Sequence, residues 1–180
     1  RADALGSIVS YLAPEQTDVA FAAASSISGE SDRVRALELL APHLDQAQIA
    51  AALASAKSIS DEWPRSRLLV ALAPHLSTPE LVTEASAAAV ALSREMCRVR
   101  ALAALAPHLK SDQRFDVLTD ALAAANAQDN AYARAKALTM LAPHLAPEQR
   151  YNTLTAAIAA ARAIDQSKIC EESLIALSPH

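Results

Sequence analysis

Arg134-Ala-Lys-Ala-Leu-Thr-Met-Leu-Ala-Pro-His-Leu145 is one of several copies of a pattern, R-x-x-A-L-x-x-L-A-P-H-L, that runs the length of the chain. Close copies begin at Arg33, Arg65 and Arg98. A looser copy, Arg1 to Leu12, puts Ser10 and Tyr11 where Pro143 and His144 stand, and the last, Cys170 to His180, stops one residue short. Counted on the Pro position the copies fall at 10, 42, 74, 107, 143 and 179, at intervals of 32, 32, 33, 36 and 36 residues. A period of this size marks a repeat array.

Each unit holds two helical segments. The one carrying the motif is called helix B here, and positions are counted from its Pro. Positions −6, −5, −2, −1 and +2 are apolar in copy after copy: Ala36, Leu37, Leu40, Ala41 and Leu44, or Ala101, Leu102, Leu105, Ala106 and Leu109. That spacing is one face of a helix. The Pro lacks an N–H and disfavours helix just before it, so helix B is expected to end or kink there. Helix A follows a short polar connection. Asp45 and Ser111 suit an N-cap, Thr78-Pro79-Glu80 offers a cap, an N1 Pro and a first-turn acid, and Ala146-Pro147-Glu148 keeps the last two.

Within helix A, position +11 is Phe21, Leu53, Ala85, Leu118 and Leu154, and position +14 is always Ala: Ala24, Ala56, Ala88, Ala121 and Ala157. A side chain held that small predicts a close approach of two helices. The segment runs to an apolar residue six before the next Arg (Ile27, Ile59, Leu92, Ile164; Gln128 is the exception). A polar elbow such as Ser28 to Asp32 or Ser60-Asp61-Glu62 comes next. The longer intervals add about one helical turn, which predicts a longer helix A in those units.

The architecture that follows is all-α: an α-solenoid of 32–36-residue helix-turn-helix repeats spanning residues 1–180, with the helix B of a first repeat and then units at about 13–44, 45–76, 77–109, 110–145 and 146–180. The chain opens and closes mid-repeat without polar capping repeats. It is therefore expected to belong to a longer protein and to be able to associate end to end through its terminal repeats.

Composition agrees with helices. Hydrophobic residues make up 52%, aromatics 3%, and Gly occurs twice. Roughly a quarter of the chain is Ala, the best helix former. No run reaches the roughly 18 apolar residues needed to span a bilayer. A net charge of −4 and a pI near 5.7 weigh against a general nucleic-acid binder. Two cysteines, Cys97 and Cys170, do not make a disulfide framework, and a reducing, cytoplasmic compartment is expected.

The motif R-x-x-A-L-x-x-L-A-P-H-L, followed by P-E-Q and an Ala-rich helix, resembles an αα-repeat of bacterial signalling proteins of the STAND type, in which NACHT-like or NB-ARC-like NTPases carry a helical-repeat array as the sensor segment. The resemblance covers the whole chain and implies a sensing or scaffolding role. It brings no catalytic residue, because the sequence has no G-x-x-x-x-G-K-[ST]. The period overlaps that of tetratricopeptide repeats, whose Trp, Gly and Tyr markers are missing.

All five histidines (His43, His75, His108, His144 and His180) hold position +1. Adjacent copies are separated by a packing layer of about 8–10 Å, whereas metal ligands sit about 2 Å from a shared ion, so the ladder is not a metal site. The expected role is at a helix C-terminus, bonding a free carbonyl or favoured by the dipole. Position −9 holds Arg1, Arg33, Arg65, Arg98 and Arg134. It shares the core face, so its stem is expected to be part-buried with the guanidinium on acids or helix ends.

Position −7 reads differently. Arg35, Arg67, Arg100 and Lys136, with Leu39, Val70 and Met140 nearby at −4 and −3, form a stripe that points away from the core. It is either a solvated charged face or a positive rail for an acidic protein or peptide. In a HEAT-like array helix B lines the concave side; in a tetratricopeptide-like one helix A does. Trp63, in the elbow Asp61-Glu62-Trp63-Pro64, is either a contact residue or a plug. No cofactor, metal or catalytic residue is expected. The reading is a non-enzymatic protein-interaction or ligand-sensing module, with no membrane partner. Its alternative is an RNA-binding helical array with one base per unit.

Overall fold

The computed structural model describes residues 14–164, and these are helical with no strands. Helix A and helix B alternate: α1 Pro14–Ser25, α2 Glu30–Leu40, α3 Gln46–Lys57, α4 Glu62–Leu72, α5 Pro79–Val90, α6 Glu95–Leu105, α7 Ser111–Asn126, α8 Ala131–Leu141 and α9 Pro147–Arg162. Odd numbers are helix A, even numbers helix B. The copies at Arg1 and Cys170, with His180, lie outside the described residues.

The chain divides into two compact units, Arg1–Ala89 and Val90–His180. In the first, α1 packs on α2 and α3 on α4, and like helices also pack on like: α2 on α4 and α1 on α3. In the second, α6 packs on α7 and α8, and α8 also packs on α7 and α9.

Each described helix B ends in the same way. The α-helix stops at Leu40, Leu72, Leu105 or Leu141, and the Ala-Pro-His that follows forms one 3₁₀ turn. The N–H of the next Leu returns to the Ala carbonyl, 3.3–3.4 Å away in all four copies. Pro is tolerated because its missing N–H falls among those of a new helical start. The apolar face is buried as expected, in one copy through Leu68, Leu69, Leu72, Ala73 and Leu76. Position −8 (Val34, Ser66, Val99 and Ala135) joins it, and Ser66 satisfies its hydroxyl on the Trp63 carbonyl at 2.9 Å.

Helix B starts earlier than the polar elbows in the sequence imply. Glu30 and Glu62 are first-turn residues, so the elbows are shorter, and Trp63 and Pro64 lie in the first turn of α4. An Asx residue explains the early start. The Asp61 carboxylate accepts from the Trp63 N–H at 3.0 Å, and the Asn130 side chain accepts from Tyr132 at 2.8 Å and Ala133 at 3.2 Å.

Helix A confirms the extra turn: α7 and α9 have 16 residues against 12 in α1, α3 and α5. Asp45 caps α3 in a reciprocal capping box with Gln48, and the Thr78 hydroxyl accepts from Leu81 at 3.4 Å. Ser111, by contrast, is the first helical residue, and Lys110 holds the cap position.

The alanine register also needs one correction. Ala24, Ala56, Ala121 and Ala157 are wholly buried, but Ala88 is only part-buried. The turn before α5 has one residue more (Ser77-Thr78), which moves the pattern along by one. The eleventh residue of each helix A is the constant feature, and in α5 that is Ala89, wholly buried.

Candidate functional site

The signature arginine closes the elbow between helix A and helix B. From the fourth position of helix B it reaches back six residues to the carbonyl of the apolar residue that ends the preceding segment. Arg33 donates to Ile27 O at 3.1 Å, Arg65 Nε to Ile59 O at 2.8 Å, and Arg98 Nε to Leu92 O at 2.8 Å. The acceptor lies just beyond helix A, where carbonyls lack intrahelical partners. Gln128 stands at that place before Arg134, and no such bond forms among the described residues.

A second set of arginines, which the motif did not reveal, serves the other turn. Arg114 donates to Pro107 O at 3.3 Å and Leu109 O at 3.1 Å. Arg150 donates to Ala142 O at 3.1 Å, Pro143 O at 3.2 Å and Leu145 O at 3.3 Å. Both stand at position +7, in the two units with the long helix A. That recurrence was the available signal. Among the described residues no imidazole donates to those carbonyls, so in these two turns arginine makes the carbonyl bonds that were one of the two roles expected of histidine. His144 and Arg114 line a cleft of about 390 Å³ with Ala106, Pro107, Pro143 and Leu145. Burial, and then the neighbouring Arg114 charge, hold the His144 pKa below its ordinary 6.5.

The apolar motif residues are buried and Arg33, Arg65 and Arg98 hold elbow carbonyls, which leaves the outward face of helix B as the next candidate. Positions −11, −7 and −3 recur at helical spacing as Ser31-Arg35-Leu39, Trp63-Arg67-Ala71, Met96-Arg100-Ala104 and Tyr132-Lys136-Met140. The structure thus places Trp63 on one stripe with Arg67 and, at −4, Val70. Trp63 is 45% exposed and Leu39 40%. Arg35 and Lys136 are exposed, while Arg67, Arg100, Val70 and Met140 are half-buried.

The cations divide two and two between the units, and they are not equivalent. Arg67 is ion-paired with Glu38 on α2, so part of its charge is already answered. Lys136 Nζ lies 5.9 Å from the Tyr132 ring centroid, four residues earlier on the same helix.

Among the described residues no group of three or more His, Cys, Asp or Glu side chains could hold a metal ion. Cys97 is buried. No described helix is long and apolar enough to cross a membrane. No protein family, curated protein or solved structure matches the chain.

Proposed function

We propose that the chain is a non-enzymatic interaction module, an α-solenoid in which the outward faces of α2 and α4 receive a protein or peptide partner. The observation that carries this reading is the exposure of Leu39 and Trp63. Two large apolar side chains, each about half exposed, stand on the packed helices α2 and α4 beside the cations of the same stripe. Neither belongs to the signature, whose apolar positions are buried and whose Arg33 and Arg65 hold elbow carbonyls. Aromatic and aliphatic anchors flanked by charge are the composition of a partner-binding surface. The cations favour an acidic partner. The L-A-P-H-L resemblance supports a sensor or scaffold segment of a larger bacterial signalling protein.

A benzophenone amino acid placed at position 39, with position 54 on the exposed side of α3 as the control, tests the surface in bacterial cells. A discrete cross-linked protein at 39 and none at 54 is expected. Equal labelling at both sites, or none at either, overturns the proposal.

A further inference from the structure

Phe115 and Tyr151 occupy the same place in two helices. Each is the fifth residue of a 16-residue helix A, and each is among the most exposed large side chains of the described residues, at 61% and 74%. Their surroundings repeat as well. Three residues earlier stand Asp112 and Glu148, and four residues later Thr119 and Thr155. Both threonine hydroxyls donate to the aromatic residue's own carbonyl, at 2.8 and 2.9 Å, and so are spent within the helix. Asp116 follows Phe115 directly. This combination belongs to α7 and α9, both packed on α8. The fifth positions of the shorter A helices are Asp18, Ala50 and Thr83, so stacking such helices does not require a ring there.

Two exposed rings contribute little to the core, and their faces carry negative potential. Asp112, Asp116 and Glu148 are exposed and make no ion pair among the described residues. The adjacent Arg114 and Arg150 do not neutralise them, because their guanidinium groups are turned onto turn carbonyls. Arg162, the one cation further along the outward face of α9, lies 11 residues beyond Tyr151, about 16 Å along the axis.

We propose that the outward faces of α7 and α9 form a docking surface for a basic segment of a protein partner. Its Arg or Lys side chains lie over the Phe115 and Tyr151 rings and beside Asp112, Asp116 and Glu148. Charge complementarity selects the occupant: aromatic rings flanked by carboxylates recognise a cation twice, through the ring and through the charge. This surface is separate from the B-helix stripe, and either stands without the other.

Fluorescence anisotropy with labelled octa-arginine, and octa-glutamate as the opposite probe, tests the proposal on the full chain. Octa-arginine is expected to bind and octa-glutamate not to bind at this surface. The double variant Phe115→Ala/Tyr151→Ala keeps the net charge at −4. It is expected to bind octa-arginine about tenfold more weakly, since two exposed cation–π contacts are removed. Equal binding by parent and double variant means diffuse attraction to an acidic protein, and overturns the proposal. So does an absence of binding to the parent. A parent that dimerises on gel filtration while the double variant does not assigns the rings to a second copy, and also overturns it. Should the double variant unfold, Asp112→Asn/Asp116→Asn with the rings intact carries the same expected loss.

Discussion

Arg67 on α4 and Glu38 on α2, 29 residues apart and in neighbouring copies of the repeat, form an ion pair across the outward faces of two packed helices. Their side chains remain 40% and 18% exposed, so solvent screens the pair and its share of stability is modest. Glu38→Gln is expected to cost no more than about 1 kcal/mol in urea unfolding. It also releases the Arg67 charge, so octa-glutamate should bind the first unit's stripe more tightly than in the parent. A larger stability loss with no change in binding would make the pair a structural brace rather than part of a binding face.

Among the described residues, Glu30 and His144 contribute to an acid limb. The Glu30 carboxylate accepts from the N–H groups of Ser60 at 3.0 Å and Asp61 at 3.3 Å, and those bonds hold its pKa below the ordinary 4.5. A carboxylate with a lowered folded-state pKa stabilises the fold above its unfolded value, and the contribution is lost as pH falls through the folded value. For His144 the depressed pKa means the fold prefers the neutral ring. Stability therefore begins to fall as pH drops below about 6.5 and that loss is complete once pH is under the folded-state value. Stability measured against pH should be shallower below 4.5 in Glu30→Gln, and shallower just below 6.5 in His144→Gln.

Gly29 caps α2 with no side-chain bond, at φ −72°, where any L residue fits. The same place is Asp61 before α4 and Asn130 before α8, and both accept first-turn N–H bonds. A Cβ at Gly29 meets nothing closer than Asp32 Oδ2 at 3.6 Å, ordinary contact. Gly29→Asn should raise stability by about 0.5–1 kcal/mol, by adding the cap and by removing freedom from the unfolded chain. Thermal unfolding reads the gain directly.

The period, the buried face of helix B and the extra turn of α7 and α9 were legible because each depends on local spacing alone. The alanine register was not. One added residue in the turn before α5 exchanges Ala88 for Ala89, and an Ala-rich helix offers no other landmark. Trp63 read as an elbow residue because the Asp61 cap that starts α4 is a geometric relation. The carbonyl partners of Arg65 and Arg114 were hidden for a related reason. A sequence shows which residues carry donors, but the acceptors here are backbone groups freed by the way a helix ends. Phe115 and Tyr151 were not legible either, because rings outside the repeating motif look like ordinary variation until their exposure is known.

The claim on which the rest stands is that the signature arginine is a clasp on the preceding helix end and not a ligand contact. Equilibrium urea unfolding of Arg65→Ala beside Arg134→Ala tests it most directly, since Arg65 holds the Ile59 carbonyl and Arg134 has no counterpart bond among the described residues. Arg65→Ala should lose about 1–3 kcal/mol, and Arg134→Ala clearly less. Equal losses, or an unchanged midpoint for Arg65→Ala, would contradict the account.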